Sequence, residues 1–394
     1  MTVEGKAGAT VGAIFREYGP SYRDRFRVSA RATAVMRHVE SCRTSALGGH
    51  EYACTICGYT RIAYNSCRDR HCPTCQKRET AEWVESRLKR LLPTHYFHAV
   101  FTIPHELNRI VYCNRKTCYD ILFRAASETL KQIARDGKHL GADVGFTTVL
   151  HTWGRTLTFH PHLHCIVTGG GLSEDHARWV AAREDFFLPV RVLSKMFRGK
   201  FLDYLWRAYM EGDLVFGGGS SRLADPNEFR RLKDRLYRKN WHVYVKPPFA
   251  GPEVAFKYLA RYTHRVAISD SRIIRVHAGA VTFTYRDPRD GDRVKIMTLD
   301  AHEFIRRFLL HVLPRRYTRI RHYGLMAPAN VKTKLALALE LLSGNDAAEA
   351  SGDPTSTDET PAPELSACPV CGEVMILVRT IAPESRCPEG IDSS

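Results

Sequence analysis

No stretch of about 18 or more apolar residues occurs in the 394-residue chain, so a membrane-spanning helix is excluded. The N-terminal MTVEGKAGATVGAIFREYGP carries an early acid and no long apolar core, and so does not read as a secretory leader. A cytoplasmic location, bacterial and nucleoid-associated in use, is the expectation, with thiols kept reduced. No internal repeat is visible, which argues against a solenoid. Acids are the scarce charge: 42 Asp and Glu face 58 Lys and Arg, a formal net charge of +16. That balance points to a polyanionic partner, most simply nucleic acid. Hydrophobic residues at 44% and charged residues at 25% exclude a mainly disordered or fibrous chain.

The deficit of acids is uneven. From Ser343 onward ten acids meet only Arg379 and Arg386, a net −8, which leaves +24 on residues 1–342. Large apolar residues are missing from SGNDAAEASGDPTSTDETPAPE, which therefore reads as an acidic disordered linker. The expected division is a helix and zinc-binding domain over 1–93, a catalytic domain with a helical insertion over 94–342, the linker over 343–365, and a short Cys-x2-Cys appendage over 366–394. Strand patterns come in antiparallel groups (VGFTTVLHTW with HPHLHCIVTGGG, then RIIRVHAG with AVTFTYRD and DRVKIMTL), with helical patterns interspersed. This predicts an α+β fold rather than alternating βαβ units.

Twelve cysteines in reduced surroundings suggest metal ligands rather than disulfides. Cys54 and Cys57 form one Cys-x2-Cys knuckle and Cys72 and Cys75 another, 14 residues apart. Four thiolates suit tetrahedral Zn2+, and two close pairs lower the entropy of closing the site. Cys42, His50, Cys67 and His71 lie in the same window and are candidates for a second zinc. A third knuckle, Cys368 and Cys371, follows the linker as half a ribbon, with only Cys387 near it.

His160-Pro161-His162-Leu163-His164 reads as a strand, where alternate residues share a face. Adjacent same-face residues stand about 6.5–7 Å apart, close enough for two imidazoles to meet one ion. His162 and His164 are the favoured pair, with His151, His160, or an acid or amide from elsewhere as the third donor. In KYLARYTHR, Tyr258 and Tyr262 are four apart and emerge on one helix face, with Arg261 and Arg265 alongside. The segment RRYTRIRHYG interleaves Arg315, Arg316, Arg319 and Arg321 with aromatics, a pattern suited to single-stranded DNA.

Taken together, CRTSALGGHEYACTICG, YNSCRDRHCPTCQ, LHTWGRTLTFHPHLHCIVTGGG, FKYLARYTHRVAIS and FIRRFLLHVLPRRYTRIRHYG resemble the two-tyrosine HUH transposases of the insertion sequence ninety-one family, over about residues 25–330. The resemblance implies a ferredoxin-like HUH nuclease core with an antiparallel sheet, preceded by a small zinc-ribbon-like module. It implies cleavage and rejoining of single-stranded DNA at insertion-sequence ends through 5′-phosphotyrosine links, in rolling-circle transposition. Tyr258 and Tyr262 match the nucleophile pair, and His162 and His164 match the pair holding Mg2+ or Mn2+. Cys54, Cys57, Cys72 and Cys75 match the zinc-binding region. The implied partners are the element's terminal sequences, target DNA and the host replication machinery, with no membrane; a homo-oligomer is compatible with the pattern. A replication initiator or relaxase would use the same chemistry, and a non-catalytic zinc-containing regulator would share only the basic, cysteine-rich part. The acidic tail with its late CPVCG departs from the family pattern.

Overall fold

The computed structural model describes residues 9–75, 90–183, 187–246, 248–249, 254, 267–287, 290–343 and 367–384. Thr10 and Ser29 each accept the backbone N–H three residues on and so start α1 (Val11–Arg25) and α2 (Ala30–Ser41). β1 (Gly49–Cys54) and β2 (Thr60–Tyr64) follow as a hairpin. β3 (Tyr96–Thr102) leads into α3 (Asn108–Cys113) and α4 (Arg115–Arg135). Then come β4 (Asp143–Trp153), β5 (Phe159–Leu172) and the short β6 (Trp179–Ala181). α5 (Val190–Met210) precedes α6 (Pro226–Arg238), which is entered through an Asp225 cap with Pro226 at its first position. β7 (Val243–Lys246), β8 (Ile273–His277), β9 (Ala280–Asp287) and β10 (Arg293–Asp300) are followed by α7 (Ala301–Leu309). β11 (Ile320–Gly324), α8 (Ala336–Ser343) and β12 (Met375–Ile381) complete the described elements. Every strand pair among the described residues is antiparallel, as the α+β reading expects.

The chain divides into two units, and not where sequence continuity suggested. The first unit gathers residues 1–77, 268–306 and 351–394; the second gathers 78–267 and 307–350. Two expected boundaries are thereby corrected. Residues 268–306 leave the 94–342 stretch, because Asp270 Oδ1 accepts the Val11 N–H at 2.9 Å and the Tyr18 hydroxyl accepts the Gly279 N–H at 3.2 Å. Of the 366–394 segment, the described residues 367–384 do not stand apart, because β12 pairs with β1 on the edge opposite β2, giving the order β12-β1-β2. The first unit also holds the β8–β9–β10 meander, where buried Phe283 packs edge-on against buried Phe304 at 5.9 Å.

The second unit is built on one sheet in the order β11-β4-β5-β3-β7, with β6 on the far end of β5. Alternation gives this sheet two unlike faces. Phe97, Ala99, Phe101, Leu163, Cys165 and Val167 all point one way, into a core with Leu122 and Phe123 of α4 and Phe197 and Phe201 of α5. Their alternate neighbours turn the histidines to the other face. The Gly169-Gly170-Gly171 run lets neighbouring backbone close on β5: a Cβ on Gly171 would collide with the Asp143 carbonyl. Gly171→Ala is therefore expected to cost about 3 kcal/mol, since backbone cannot swing aside as a side chain can. Urea unfolding monitored by far-UV circular dichroism would read this as a lowered midpoint; an unchanged midpoint would refute the close approach.

Candidate metal centre and cysteine clusters

β5 presents His162 and His164 on the face away from the core, because Leu163 between them is fully buried in it. In the antiparallel register His162 lies opposite His151 on β4, and directly opposed residues share a face. The ring donors of His151, His162 and His164 all lie within 4.8 Å of one another. His162 Nε2 and His164 Nε2 are 3.0 Å apart, and the His151 and His164 ring centroids are 4.5 Å apart. Of the two candidates for third donor, His151 joins the pair, whereas His160 does not belong to the cluster. Trp153 stacks on the His151 ring at 4.5 Å and so restricts its orientation.

Hydrogen bonds orient the rings. His162 Nδ1 lies 2.7 Å from the His160 carbonyl, which can only accept, so the proton sits on Nδ1 and the Nε2 lone pair turns inward. His98 Nε2 lies 2.8 Å from His164 Nδ1. As acceptor it would hold the proton on His164 Nδ1 and turn the second Nε2 lone pair toward the first, the arrangement a ligating histidine needs. His98 escaped the sequence reading; its signal was a histidine inside the apolar β3 pattern, on the same face as His162 and His164. Burial pushes His162 down to about 4, with the charge of His160 adding to it. Burial also lowers His98 to about 3, helped by Lys246 and His162, and drops His164 well below its ordinary value, with His151, His162 and His98 as further causes. At neutral pH these imidazoles are uncharged, the form that binds metals. Three imidazole nitrogens, of His151, His162 and His164, converge on one face of a packed sheet and fit a divalent cation.

The cysteines converge in two sets of four, and neither is the expected one. Cys54, Cys57, Cys72 and Cys75 do not share a site. Cys72 and Cys75 join Cys42 and Cys67, while Cys54 and Cys57 face Cys368 and Cys371. In the first set Cys42 Sγ and Cys75 Sγ are 3.5 Å apart, and Cys67 Sγ and Cys75 Sγ 3.6 Å. The regrouping has a local cause. Cys42 caps the end of α2, and α2 is tied to the 67–75 loop by His38 Nδ1 and Asp69 Oδ2 at 2.8 Å. The Arg43 N–H also donates to the Asn65 carbonyl at 3.1 Å. His50 and His71, expected as candidates for a second zinc, belong to neither set. His71 instead places Nδ1 2.8 Å from Asp69 Oδ1, a buried pair that holds the loop.

The basic segment after α7 also differs from expectation. Tyr317 is buried, donates its hydroxyl to Asp120 Oδ1 at 3.0 Å and packs on Tyr119. Tyr323 stacks on Phe146 at 5.1 Å. Arg321 pairs with Asp120 and lies 4.1 Å over the Phe123 ring, and Arg319 is buried. Tyr317 and Arg321 are held by α4 and Tyr323 by β4, so these residues, with the buried Arg319, serve the fold. Only Arg315 and Arg316 remain exposed. Tyr258, Arg261, Tyr262 and Arg265 lie outside the described residues, as does Cys387.

Comparison with known proteins gives this geometry a family. Residues 14–103 match the family described as "Transposase zinc-binding domain", and residues 145–334 match the one described as "Putative transposase". The chain is 51% identical over 338 residues to the "Putative transposase y4qJ" of Sinorhizobium fredii, covering 86% of this chain and 85% of the relative. It is 30% identical over 290 residues to the transposase for insertion sequence element IS801 of Pseudomonas savastanoi pv. phaseolicola, covering 73% of this chain and 68% of the relative. No solved structure matches. A zinc-binding domain joined to a DNA-cleaving transposase domain is the class these matches define. The chain belongs to the insertion sequence ninety-one family of transposases. No described helix is long and apolar enough to cross a membrane.

Proposed function

We propose that this transposase cleaves and rejoins single-stranded DNA at the ends of its element through 5′-phosphotyrosine links, by the rolling-circle route. The observation that carries the reading is the convergence of His151, His162 and His164 on one face of a sheet whose other face is packed into the core. These three residues would hold Mg2+ or Mn2+; imidazole donors suit Mn2+ better than Mg2+. When bound, the ion would polarise the scissile phosphate and stabilise charge developing on its oxygens. The His160 carbonyl keeps the His162 proton on the outward Nδ1, and His98, accepting from His164 Nδ1, would do the same for His164, so that both lone pairs are directed inward.

Tyr258 or Tyr262 supplies the nucleophile. Its phenolic oxygen loses a proton and attacks phosphorus, a tyrosyl O–P bond forms, and the P–O3′ bond breaks. The departing 3′ oxygen takes up a proton and leaves as a hydroxyl, while the 5′ phosphate stays on the protein. One phosphate ester bond replaces another, so a later 3′-hydroxyl can reverse the step and reseal a strand. The second tyrosine allows a second link, to the far end or to target DNA, while host replication displaces the strand. The +24 carried by residues 1–342 supplies sequence-independent phosphate affinity, and a zinc module held by Cys42, Cys67, Cys72 and Cys75 docks the DNA end.

The test is a purified full chain incubated with Mn2+ or Mg2+ and a single-stranded oligonucleotide carrying the element end. The expected products are a detergent-resistant adduct of the protein with the 5′ phosphate of the downstream fragment, and an upstream fragment ending in a free 3′-hydroxyl. Cleavage that leaves both fragments free of protein would sink the phosphotyrosine reading.

A further inference from the structure

We propose that Cys54, Cys57, Cys368 and Cys371 form a second tetrathiolate zinc site, which clasps the C-terminal strand onto the N-terminal module. Neither family match reaches these last two cysteines, since one ends at residue 103 and the other at residue 334.

The four sulfurs lie within 4.8 Å of one another, with Cys54 and Cys371 at 3.4 Å and Cys57 and Cys368 at 3.5 Å. A disulfide would bring a pair to about 2.05 Å. A tetrahedral Zn2+ with bonds of about 2.3 Å separates its sulfurs by about 3.8 Å, close to the spacing seen.

The two halves are built alike. Each is a Cys-x2-Cys-Gly turn, CTICG and CPVCG. In the first, the Gly58 N–H donates to the Cys54 carbonyl at 3.0 Å and the Cys54 N–H to the Tyr59 carbonyl at 2.9 Å. In the second, the Gly372 N–H donates to the Cys368 carbonyl at 2.9 Å and the Cys368 N–H to the Glu373 carbonyl at 2.6 Å. Both glycines adopt left-handed backbone, φ +69° at Gly58 and +81° at Gly372, a region a side chain would penalise. Within each turn backbone N–H groups point at sulfur: those of Ile56 and Cys57 at Cys54, and those of Val370 and Cys371 at Cys368. Such bonds stabilise thiolates, the ligating form.

The surroundings also call for a staple. Among the described residues, the core beneath the knuckles consists of Cys54, Cys368 and Met375, with Tyr52 and Tyr59 against it. Ile376, Leu377 and Val378 of β12 are about half exposed, so burial contributes little to holding this strand. A small module with so little apolar core depends on a metal or a cross-link. The site closes between residues 317 apart in sequence, which is why no local pattern exposes it.

The experiment counts zinc in the full chain by plasma mass spectrometry after purification without added metal. Two equivalents are expected for the parent. One equivalent is expected for Cys368→Ser with Cys371→Ser, one for Cys54→Ser with Cys57→Ser, and still one when all four are replaced, because the four belong to a single site. Two equivalents retained in the Cys368/Cys371 variant, or one in the parent, would overturn the proposal. A second arm keeps every cysteine and needs no altered ligand. A protease site is inserted within residues 351–365 and cut, and the tail should co-elute with the body until a chelator removes zinc. Elution of the tail as a free peptide before the chelator would equally overturn it.

Discussion

Replacing His162 and His164 together by alanine is expected to lower metal-dependent strand cleavage by on the order of 10³-fold or more, about 4 kcal/mol of transition-state stabilisation. Two of three converging donors would be lost, and His151 alone offers one nitrogen. The fold should survive, because the residues that anchor β5 are Leu163, Cys165 and Val167 on the opposite face. Mn2+ affinity, read by electron paramagnetic resonance of the free ion, should fall in parallel. Thermal melting would show whether the variant is folded. A folded variant that cleaves within tenfold of the parent would remove this cluster from the mechanism. His98→Ala should act more mildly, since it disturbs the orientation of His164 rather than removing a donor. A loss of about 10–100-fold in metal affinity is typical of such outer partners.

The double replacement Tyr258→Phe with Tyr262→Phe is expected to abolish the covalent adduct, with cleavage down by on the order of 10⁴-fold or more, as for loss of a nucleophile elsewhere. Phenylalanine keeps the ring and its packing and removes only the attacking oxygen, so DNA binding should persist in a gel-shift assay. Each single variant should still form adduct if either hydroxyl can reach the phosphate. The single variants would then differ in whether they cut once or join a second strand. Adduct at the parental level in the double variant would mean that another residue is the nucleophile. The two predictions are separable: the histidine variant loses metal and cleavage together, whereas the tyrosine variant keeps metal affinity and loses only the covalent step.

Much of the scaffold was legible because it is written in short-range patterns. The alternation of β4 and β5 depends on residues a few positions apart. The pairing of His162 with His164 was readable for the same reason, since a strand's period places them on one face. The aromatics of RRYTRIRHYG were misread because a mixed basic and aromatic string looks the same whether its rings face solvent or, as with Tyr317 and Tyr323, pack against the fold.

By itself, then, the sequence determined which residue types could do chemistry and which local face each occupied: the His-x-His strand, the Cys-x2-Cys turns with their glycines, and the excess of positive charge. Only the tertiary structure decided the partnerships. Strand register put His151 opposite His162 and brought His98 to the back of His164. The pairing of β12 with β1 sent Cys54 and Cys57 to the far C-terminal knuckle and left Cys72 and Cys75 to Cys42 and Cys67. The physical reason is that periodicity and turn chemistry act over a few residues. Which strand edge or loop meets which is set by pairing and burial summed over the whole chain, and no local pattern records that sum.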